Sequence, residues 1–188
     1  DYIDTTVSMV QQRTGNISSE EKPSVMIVGL GTDGSAYVWG KDYGSAKFST
    51  EIAGLKNVYE GDETVMMSKE QVIAYKPDKI VVVDGPVGIS SPEEFYELEG
   101  FESWDIIPAV QDHQIVSVGI FPWWGDFCLE FPTVILIEAK SPHHDQVEDI
   151  EVNEWLTDYH SVLYGINETQ AIELSGQQYL KWVYDVGY

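Results

Sequence analysis

The glycine spacing in Gly29-Leu-Gly31-Thr-Asp-Gly34 matches a known chemical motif. G-x-G-x-x-G directly after a strand is typical of dinucleotide-binding folds, in which the third glycine opens a helix that holds the pyrophosphate. Here the next ten residues, 35–44, include β-branched and aromatic residues and two further glycines. Glu51 lies in a helical stretch, whereas the motif needs an acidic residue after a second strand. We therefore interpret residues 29–34 as a loop and keep a nucleotide-dependent α/β oxidoreductase as an alternative.

Other residues that could support catalysis or bind a metal do not form a recognisable pattern. The histidines are His113, His143, His144 and His160. The run His143-His144-Asp145 follows a proline in a polar connector, and neighbouring side chains point in different directions, so a surface loop is the better interpretation. H-E-x-x-H, C-x-x-C and G-x-S-x-G are all absent from the sequence, and the single cysteine, Cys128, lies in an apolar stretch. We assign no catalytic residue, metal ligand or cofactor.

The net charge limits the partners of this chain. Its 32 acidic and 10 basic residues give a formal charge of −22. A field of that sign repels phosphate backbones and anionic lipid headgroups, which argues against nucleic-acid binding and against a basic membrane patch. No apolar run approaches the roughly 20 residues that span a bilayer, so we expect no direct membrane insertion of these residues.

The elements that would position a site are clearest between Ser68 and Val118. Ser68 is a plausible N-cap, Pro77 stops the helix that follows, and Lys79–Val83 reads as a strand buried on both faces. Further strands are predicted at Ser24–Val28 and Gln114–Val118. Alternation of strands and helices predicts an α/β fold, a three-layer sandwich with a mainly parallel central sheet.

The chain divides into three predicted parts. Residues 1–22 read as the end of a longer helix and a connector, with Ile3, Val7 and Val10 on one stripe, so we expect the chain to be a fragment of a longer protein. Residues 23–176 form the α/β lobe, which includes an amphipathic helix from Val152 to Leu163. Residues 177–188 form a tail rich in aromatic residues.

Three loops follow the predicted strands, at Gly29–Tyr43, Asp84–Pro92 and Gly119–Asp126. In open α/β sheets, the loops at the carboxyl ends of the strands form the ligand crevice. Two of these loops are rich in aromatic residues, which either pack under the loop or face a ligand. The candidate ligand-binding residues are Tyr37, Trp39, Tyr43, Phe121, Trp123 and Trp124.

Four short motifs together resemble a known family. They are Ser68-Lys-Glu-Gln-Val72, Lys76-Pro-Asp78 with the apolar run after it, Trp104-Asp-Ile-Ile-Pro-Ala-Val110 and Gln114-Ile-Val-Ser-Val118. In this order they resemble the C-terminal lobe of the substrate-binding proteins that feed iron-chelate and cobalamin ABC importers. The resemblance covers roughly residues 1–175 and implies one lobe of a two-lobed protein whose lobes are joined by a long helix.

The resemblance implies a binding function and no enzyme activity. A metal chelate such as a ferric siderophore, haem or cobalamin would be captured in the periplasm or at the extracellular face of the cell membrane and delivered to permease subunits. The protein would be anchored to lipid through an N-terminus that precedes this chain. By its place in the first motif, Glu70 would contact permease arginines; as a first-turn glutamate it would also stabilise its own helix. Arg13 is the only arginine of the chain, which favours a neutral or cationic chelate. A surface module that binds another protein stays open as a second alternative.

Overall fold

The computed structural model describes residues 2–83, 86–119, 129–140 and 145–188. The sheet consists of β1 (Ser24–Leu30), β2 (Ala36–Val38), β3 (Lys56–Asn57), β4 (Val65–Met67), β5 (Lys79–Val83) and β6 (Ile115–Ser117). The α-helices are α1 (Tyr2–Thr14), α2 (Gly44–Ile52), α3 (Lys69–Tyr75), α4 (Pro108–Gln111), α5 (Phe131–Ala139), α6 (Val152–Tyr164), α7 (Glu168–Gln177) and α8 (Lys181–Asp185). Short 3₁₀ helices span Pro92–Glu97, Glu102–Ile106 and Asp145–Val147.

The central sheet has the order β4-β2-β1-β5-β6, and β3 pairs with the first residues of β1. The pairs β1–β5 and β5–β6 are parallel, which confirms the predicted mainly parallel sheet built on these three strands. The prediction of one long loop from Gly29 to Tyr43 is wrong, because Ala36–Val38 returns as a strand antiparallel to β1. This strand also pairs antiparallel with β4, so one edge of the sheet is mixed.

Apolar residues on the two faces of the sheet form two separate cores, as a three-layer arrangement requires. Alternate residues of β1 and β5 point to opposite faces. The first core cluster contains Val25, Val81 and Val83 with residues of α1, α2, α5, α6 and α8. The second contains Met26, Val28 and Val82 with residues of α3, α4 and the first two 3₁₀ helices. The sheet is therefore covered by helices on both faces.

Local sequence signals set several helix boundaries. Ser68 caps α3 in a reciprocal capping box with Gln71, and Asn167 caps α7 in the same way with Gln170. Gly165 ends α6 in the left-handed conformation that glycine adopts without strain. Ser91 is different, because its side chain makes no capping hydrogen bond and Pro92 opens a 3₁₀ helix rather than an α-helix.

The aromatic tail packs into the lobe. Leu180, Trp182 and Val183 are buried in the first core cluster, and the Tyr188 hydroxyl donates to the carbonyl oxygens of Ile137 and Lys140 at the end of α5. These bonds satisfy carbonyls that a helix end leaves without an intrahelical partner. The predicted boundary at residue 176 falls inside α7, and the division of the chain into three parts stays a prediction. In the described part of the chain, no helix is both long and apolar enough to cross a membrane.

Candidate functional site

Four strands end on the same edge of the sheet, which we call the carboxyl edge. β1, β5 and β6 are mutually parallel, and β4 runs the same way because both it and β1 are antiparallel to β2. The last residues of these strands are Leu30, Met67, Val83 and Ser117. Ligands of open α/β folds bind outside such an edge, so the segments that follow these strands define the candidate site.

The segment after β1 is a tight turn between Gly31 and Ser35. The Gly31 amide donates to the Ser35 carbonyl oxygen (2.8 Å), and the Ser35 hydroxyl donates to the Asp33 carboxylate (2.6 Å). Gly34 has φ +78°, and a Cβ there would lie 2.3 Å from the Gly100 carbonyl oxygen. The chain then enters β2 instead of a helix, so the G-x-G-x-x-G pattern lacks the helix N-terminus that would hold a pyrophosphate.

The N-terminus of α3 lies beside this turn on the carboxyl edge. Lys69 is its neighbour, since the Lys69 Cβ is 3.6 Å from the position that a Cβ on Gly34 would take. Glu70 is exposed in the first turn, and its carboxylate accepts a hydrogen bond from the Ser68 hydroxyl (2.8 Å). This bond lowers the pKa of Glu70, so the carboxylate is charged at neutral pH. Glu70 thus presents a negative charge at this edge.

Three of the aromatic candidates, Tyr37, Trp39 and Tyr43, lie within the described residues. Tyr37 is 39% exposed on β2 and pairs with Met66, which is 50% exposed on β4, so the two form an apolar patch near the carboxyl edge. Trp39 lies further from that edge, is partly buried and packs against the first core cluster. Tyr43 is exposed immediately before α2. The structure therefore places Tyr37 near the carboxyl edge and Trp39 further from it; the role of all three residues in ligand binding stays a prediction.

The other three aromatic candidates, Phe121, Trp123 and Trp124, lie outside the described residues. The residues on either side of them are described. Gly119 follows β6, and Leu129 and Glu130 precede α5. Their role as ligand-binding residues stays a prediction. The histidine pair His143-His144 and Cys128 also lie outside the described residues.

The described charges at the carboxyl edge are mostly negative. The pKa of Asp33 is lowered by hydrogen bonds from the Ser35 side chain and backbone, and that of Glu102 by backbone N–H groups including that of Gly100. Lys69 is close enough to both to lower their pKa values further. Arg13 lies elsewhere and forms a two-bond ion pair with Asp149. The potential around the described edge would repel an anionic ligand.

The structure also shows a polar cluster that spacing in the sequence did not indicate. Glu130 is buried, and its carboxylate accepts hydrogen bonds from Tyr164 and from the Gln178 side chain. These residues are far apart in the chain, and only the packing of α6 and α7 against the start of α5 joins them. Among the described residues, no group of three or more His, Cys, Asp or Glu side chains could hold a metal ion.

Comparison with solved structures identifies the fold. Neither a protein-family model nor a curated protein matches the chain. A periplasmic solute-binding protein from Veillonella parvula is similar over 100% of this chain and 56% of that chain, with a TM-score of 0.72 and 17% sequence identity. An ABC transporter solute-binding protein from Sulfurospirillum deleyianum is similar over 88% and 50%, with a TM-score of 0.69 and 16% identity.

A third similar structure is CeuE from Helicobacter pylori with Ni(II) bound. It matches 92% of this chain and 54% of that chain, with a TM-score of 0.65 and 15% identity. The chain thus spans about half the length of the solute-binding proteins that it matches. The match establishes the fold: an α/β lobe with a mostly parallel sheet, equivalent to one lobe of a two-lobed solute-binding protein.

Proposed function

We propose that this chain is the C-terminal lobe of an extracytoplasmic substrate-binding protein that captures a metal chelate and delivers it to the permease of an ABC importer. The observation that supports this best is the similarity of the whole chain to 56% of a periplasmic solute-binding protein, at a TM-score of 0.72. The order of the four sequence motifs supports the same family. The protein would bind and release its ligand without bond chemistry.

The ligand would be a neutral or cationic chelate with flat apolar surfaces. Aromatic side chains bind such surfaces by stacking, while a few polar groups fix orientation. Tyr37 lies near the carboxyl edge, and Asp33, Glu70 and Glu102 make the described part of that edge negative. Anionic ferric siderophores need cationic partners, so a cobalamin-like or cationic complex fits this lobe better.

Glu70 would contact the permease. It is exposed and charged, and α3 begins at the same edge as the proposed ligand site. A cationic permease surface that meets Glu70 would therefore face the ligand at the same time. Charge pairs at the rim of an interface mainly set orientation and association rate.

Replacing Glu70 by arginine should weaken binding of the permease by about tenfold at low salt, and by less at high salt because ions screen exposed charges. Chelate binding should change little. The matched control is Glu154→Arg, since Glu154 is an exposed first-turn glutamate of α6. Affinity for the detergent-solubilised permease, measured at two salt concentrations, checks this. Equal losses for Glu70→Arg and Glu154→Arg would contradict the docking role.

Replacing Trp123 or Trp124 by alanine should weaken chelate binding by about 1–3 kcal/mol per ring if the rings stack on the ligand. The measurement is a titration of the two-lobed protein with cyanocobalamin and haemin, followed by tryptophan fluorescence. Trp155→Phe is the control, because Trp155 packs against the first core cluster. Unchanged affinity in a folded variant would assign Trp123 and Trp124 to packing.

The absorption spectrum of the protein purified with both lobes tests the proposal directly. A bound corrinoid or ferric chelate absorbs strongly in the visible region, whereas a bound nicotinamide nucleotide absorbs only in the ultraviolet and a bound flavin gives its own distinct yellow spectrum. The turn geometry at Gly31–Ser35 does not favour the nucleotide alternative, since β2 follows where a helix is required. Tight binding of NAD or FAD with no binding of any chelate would overturn the proposal.

A further inference from the structure

His160 is a completely buried histidine at the contact between α6 and the helices that follow it. Its Nδ1 atom lies 3.2 Å from the Ser175 hydroxyl oxygen and 3.5 Å from the Ala171 carbonyl oxygen, both on α7. The Ser175 hydroxyl oxygen lies 3.1 Å from the Tyr184 hydroxyl oxygen on α8. One imidazole ring therefore lies where α6, α7 and α8 are joined by polar contacts.

The hydrogen bonds around this ring suit a neutral imidazole. The Ser175 hydroxyl donates to the Ala171 carbonyl oxygen (2.9 Å), so the Ser175 oxygen is free to accept a hydrogen bond from Nδ1–H of His160. The other ring nitrogen, Nε2, is buried and has no hydrogen-bond partner among the described residues. Protonation would add an N–H group and a positive charge at Nε2. The described surroundings offer no acceptor for that N–H group.

The charged and titratable groups around the ring do not compensate for its burial. Among the described residues, the carboxylate that favours the protonated ring is that of Glu130, which is itself buried at the start of α5. The other titratable neighbours are tyrosines, namely Tyr159 and Tyr164 on α6 and Tyr184 on α8. Burial outweighs the effects of the Ala171 carbonyl oxygen and of Glu130, and it lowers the pKa of His160.

The same contacts attach α7 to the rest of the lobe. The buried residues of α7 are Ala171 and Ser175, and both meet His160. Their side chains are small, so the apolar area that holds α7 in place is modest. Beyond the ring, the Tyr184 hydroxyl oxygen lies 3.1 Å from that of Thr157, which ties α8 to α6. A change at His160 therefore acts on the centre of the face by which α7 packs.

We infer that His160 is an acid-sensitive lock, in which protonation at Nε2 opens the contact between α6 and α7 and loosens α7 and α8. A buried cation without an acceptor is costly, whereas an opened segment lets water solvate the imidazolium. The loosening should reach the carboxyl edge, because a Cβ on Gly119, directly after β6, would lie 2.3 Å from the Gln178 carbonyl oxygen in the turn between α7 and α8. The lock is a property of this lobe by itself and does not depend on which ligand the protein binds.

The sign of the pH effect follows from the protons bound in each state. In the opened state His160 is exposed to water and has a pKa of about 6.5. In the closed state burial lowers the pKa of His160, so below about pH 6.5 the opened state binds more protons and opening becomes more favourable. One proton raises the opening equilibrium constant by up to about tenfold for each pH unit. Well above pH 6.5 the ring is neutral in both states, and the effect disappears.

Amide hydrogen exchange of the 188-residue chain tests the lock without any ligand. Exchange is followed by NMR from pH 7.5 to pH 5, and each rate is divided by the intrinsic rate of an unstructured amide at that pH. Amides of α7 and α8, such as the Leu180 amide that donates to Ser175, should lose protection by up to about tenfold per pH unit below about pH 6.5. Amides of β1 and β5 should keep their protection.

His160→Asn should remove this pH dependence, because asparagine places a polar group near the position of Nδ1 and does not titrate. The matched control is His113→Asn, since His113 is exposed and its positive φ of 54° suits asparagine. This control should behave like the wild type. A pH dependence that persists in His160→Asn would assign it to a carboxylate such as that of Glu130 and would overturn the lock.

The imidazole resonances of the wild-type protein, followed over the same pH range, report the pKa values of His160 and His113 directly. They test the lock even if His160→Asn does not fold. The pKa of His160 should lie below that of His113. Equal pKa values for the two histidines would overturn the lock, and so would unchanged protection of α7 at a pH where the His160 ring is protonated.

Discussion

Replacing Lys79 by methionine is expected to lower the free energy of unfolding by about 1–3 kcal/mol, because it leaves the buried Glu138 carbonyl oxygen without its donor. Lys79 and Glu138 are each 1% exposed. The Lys79 ammonium donates to the Glu138 carbonyl oxygen (2.7 Å), and the Glu138 carboxylate accepts from the Ser49 hydroxyl (3.1 Å). The pair joins the start of β5 to the end of α5 inside the first core.

The double variant Lys79→Met/Glu138→Leu is expected to be within about 1 kcal/mol of the wild type, or more stable. Removing both charges avoids the cost of taking them out of water, while apolar side chains of similar volume keep the packing. Urea unfolding of wild type, single and double variants at pH 6 and pH 9 measures these differences. A double variant as unstable as Lys79→Met would show that the contact between Lys79 and Glu138 itself is needed for the fold.

The pH dependence of stability follows from the two shifted groups. Burial raises the pKa of Glu138 from 4.5 to about 8, so between these values the folded state binds more protons and stability falls as pH rises. Burial lowers the pKa of Lys79 from 10.5 to about 7, so between these values the unfolded state binds more protons and stability rises with pH. The contribution of the pair should therefore be smallest near pH 7–8, and the double variant should lack this minimum.

The strands β1, β5 and β6 could be predicted from the sequence because their burial is encoded in consecutive apolar residues. Lys79–Val83 is a strand with the predicted bounds, and β1 and β6 differ from their predicted bounds by one or two residues. The short strands Ala36–Val38 and Val65–Met67 could not be predicted. Each has only three residues, and each is stabilised by pairing with a strand that a turn or a distant segment brings alongside.

The position of a candidate site residue could be predicted from the sequence only where its neighbours in the chain determine that position. The capping residues around Ser68 place Glu70 in a first turn, and the structure shows it exposed there. The position of Trp39 depends instead on β2, whose register turns the ring toward the first core. Residues 130, 164 and 178 meet only because α6 and α7 pack against α5, and no spacing in the sequence reports that contact.

Replacing Trp104 by alanine should cost about 3–5 kcal/mol, since it empties a large fully buried site. The Trp104 ring lies 5.7 Å from that of Phe95 and 5.1 Å from that of Phe101, centroid to centroid, and is completely buried in the second core. Its indole N–H donates to the Gly34 carbonyl oxygen (3.0 Å). Trp104 thus joins the core to the turn after β1, and the Trp104-x-x-Ile-Pro-Ala-Val motif reflects packing, because Ile107 is fully buried too.

Trp104→Phe separates the two contributions, because it keeps most of the apolar volume and removes the donor to Gly34. It should cost about 1–3 kcal/mol, the penalty for leaving a buried carbonyl without its partner. Ile106→Ala, in the same 3₁₀ helix at a position 63% exposed, should change stability by less than about 0.5 kcal/mol. Thermal and urea unfolding of the three variants measure these costs, and exchange of the Gly31 amide, which is bonded to Ser35, reports the turn. If the indole donor holds the turn against the second core, the Gly31 amide should exchange faster in Trp104→Phe while the rest of the sheet stays protected. Unchanged exchange at Gly31 would mean that packing of Gly34 against Gly100 is sufficient to hold the turn.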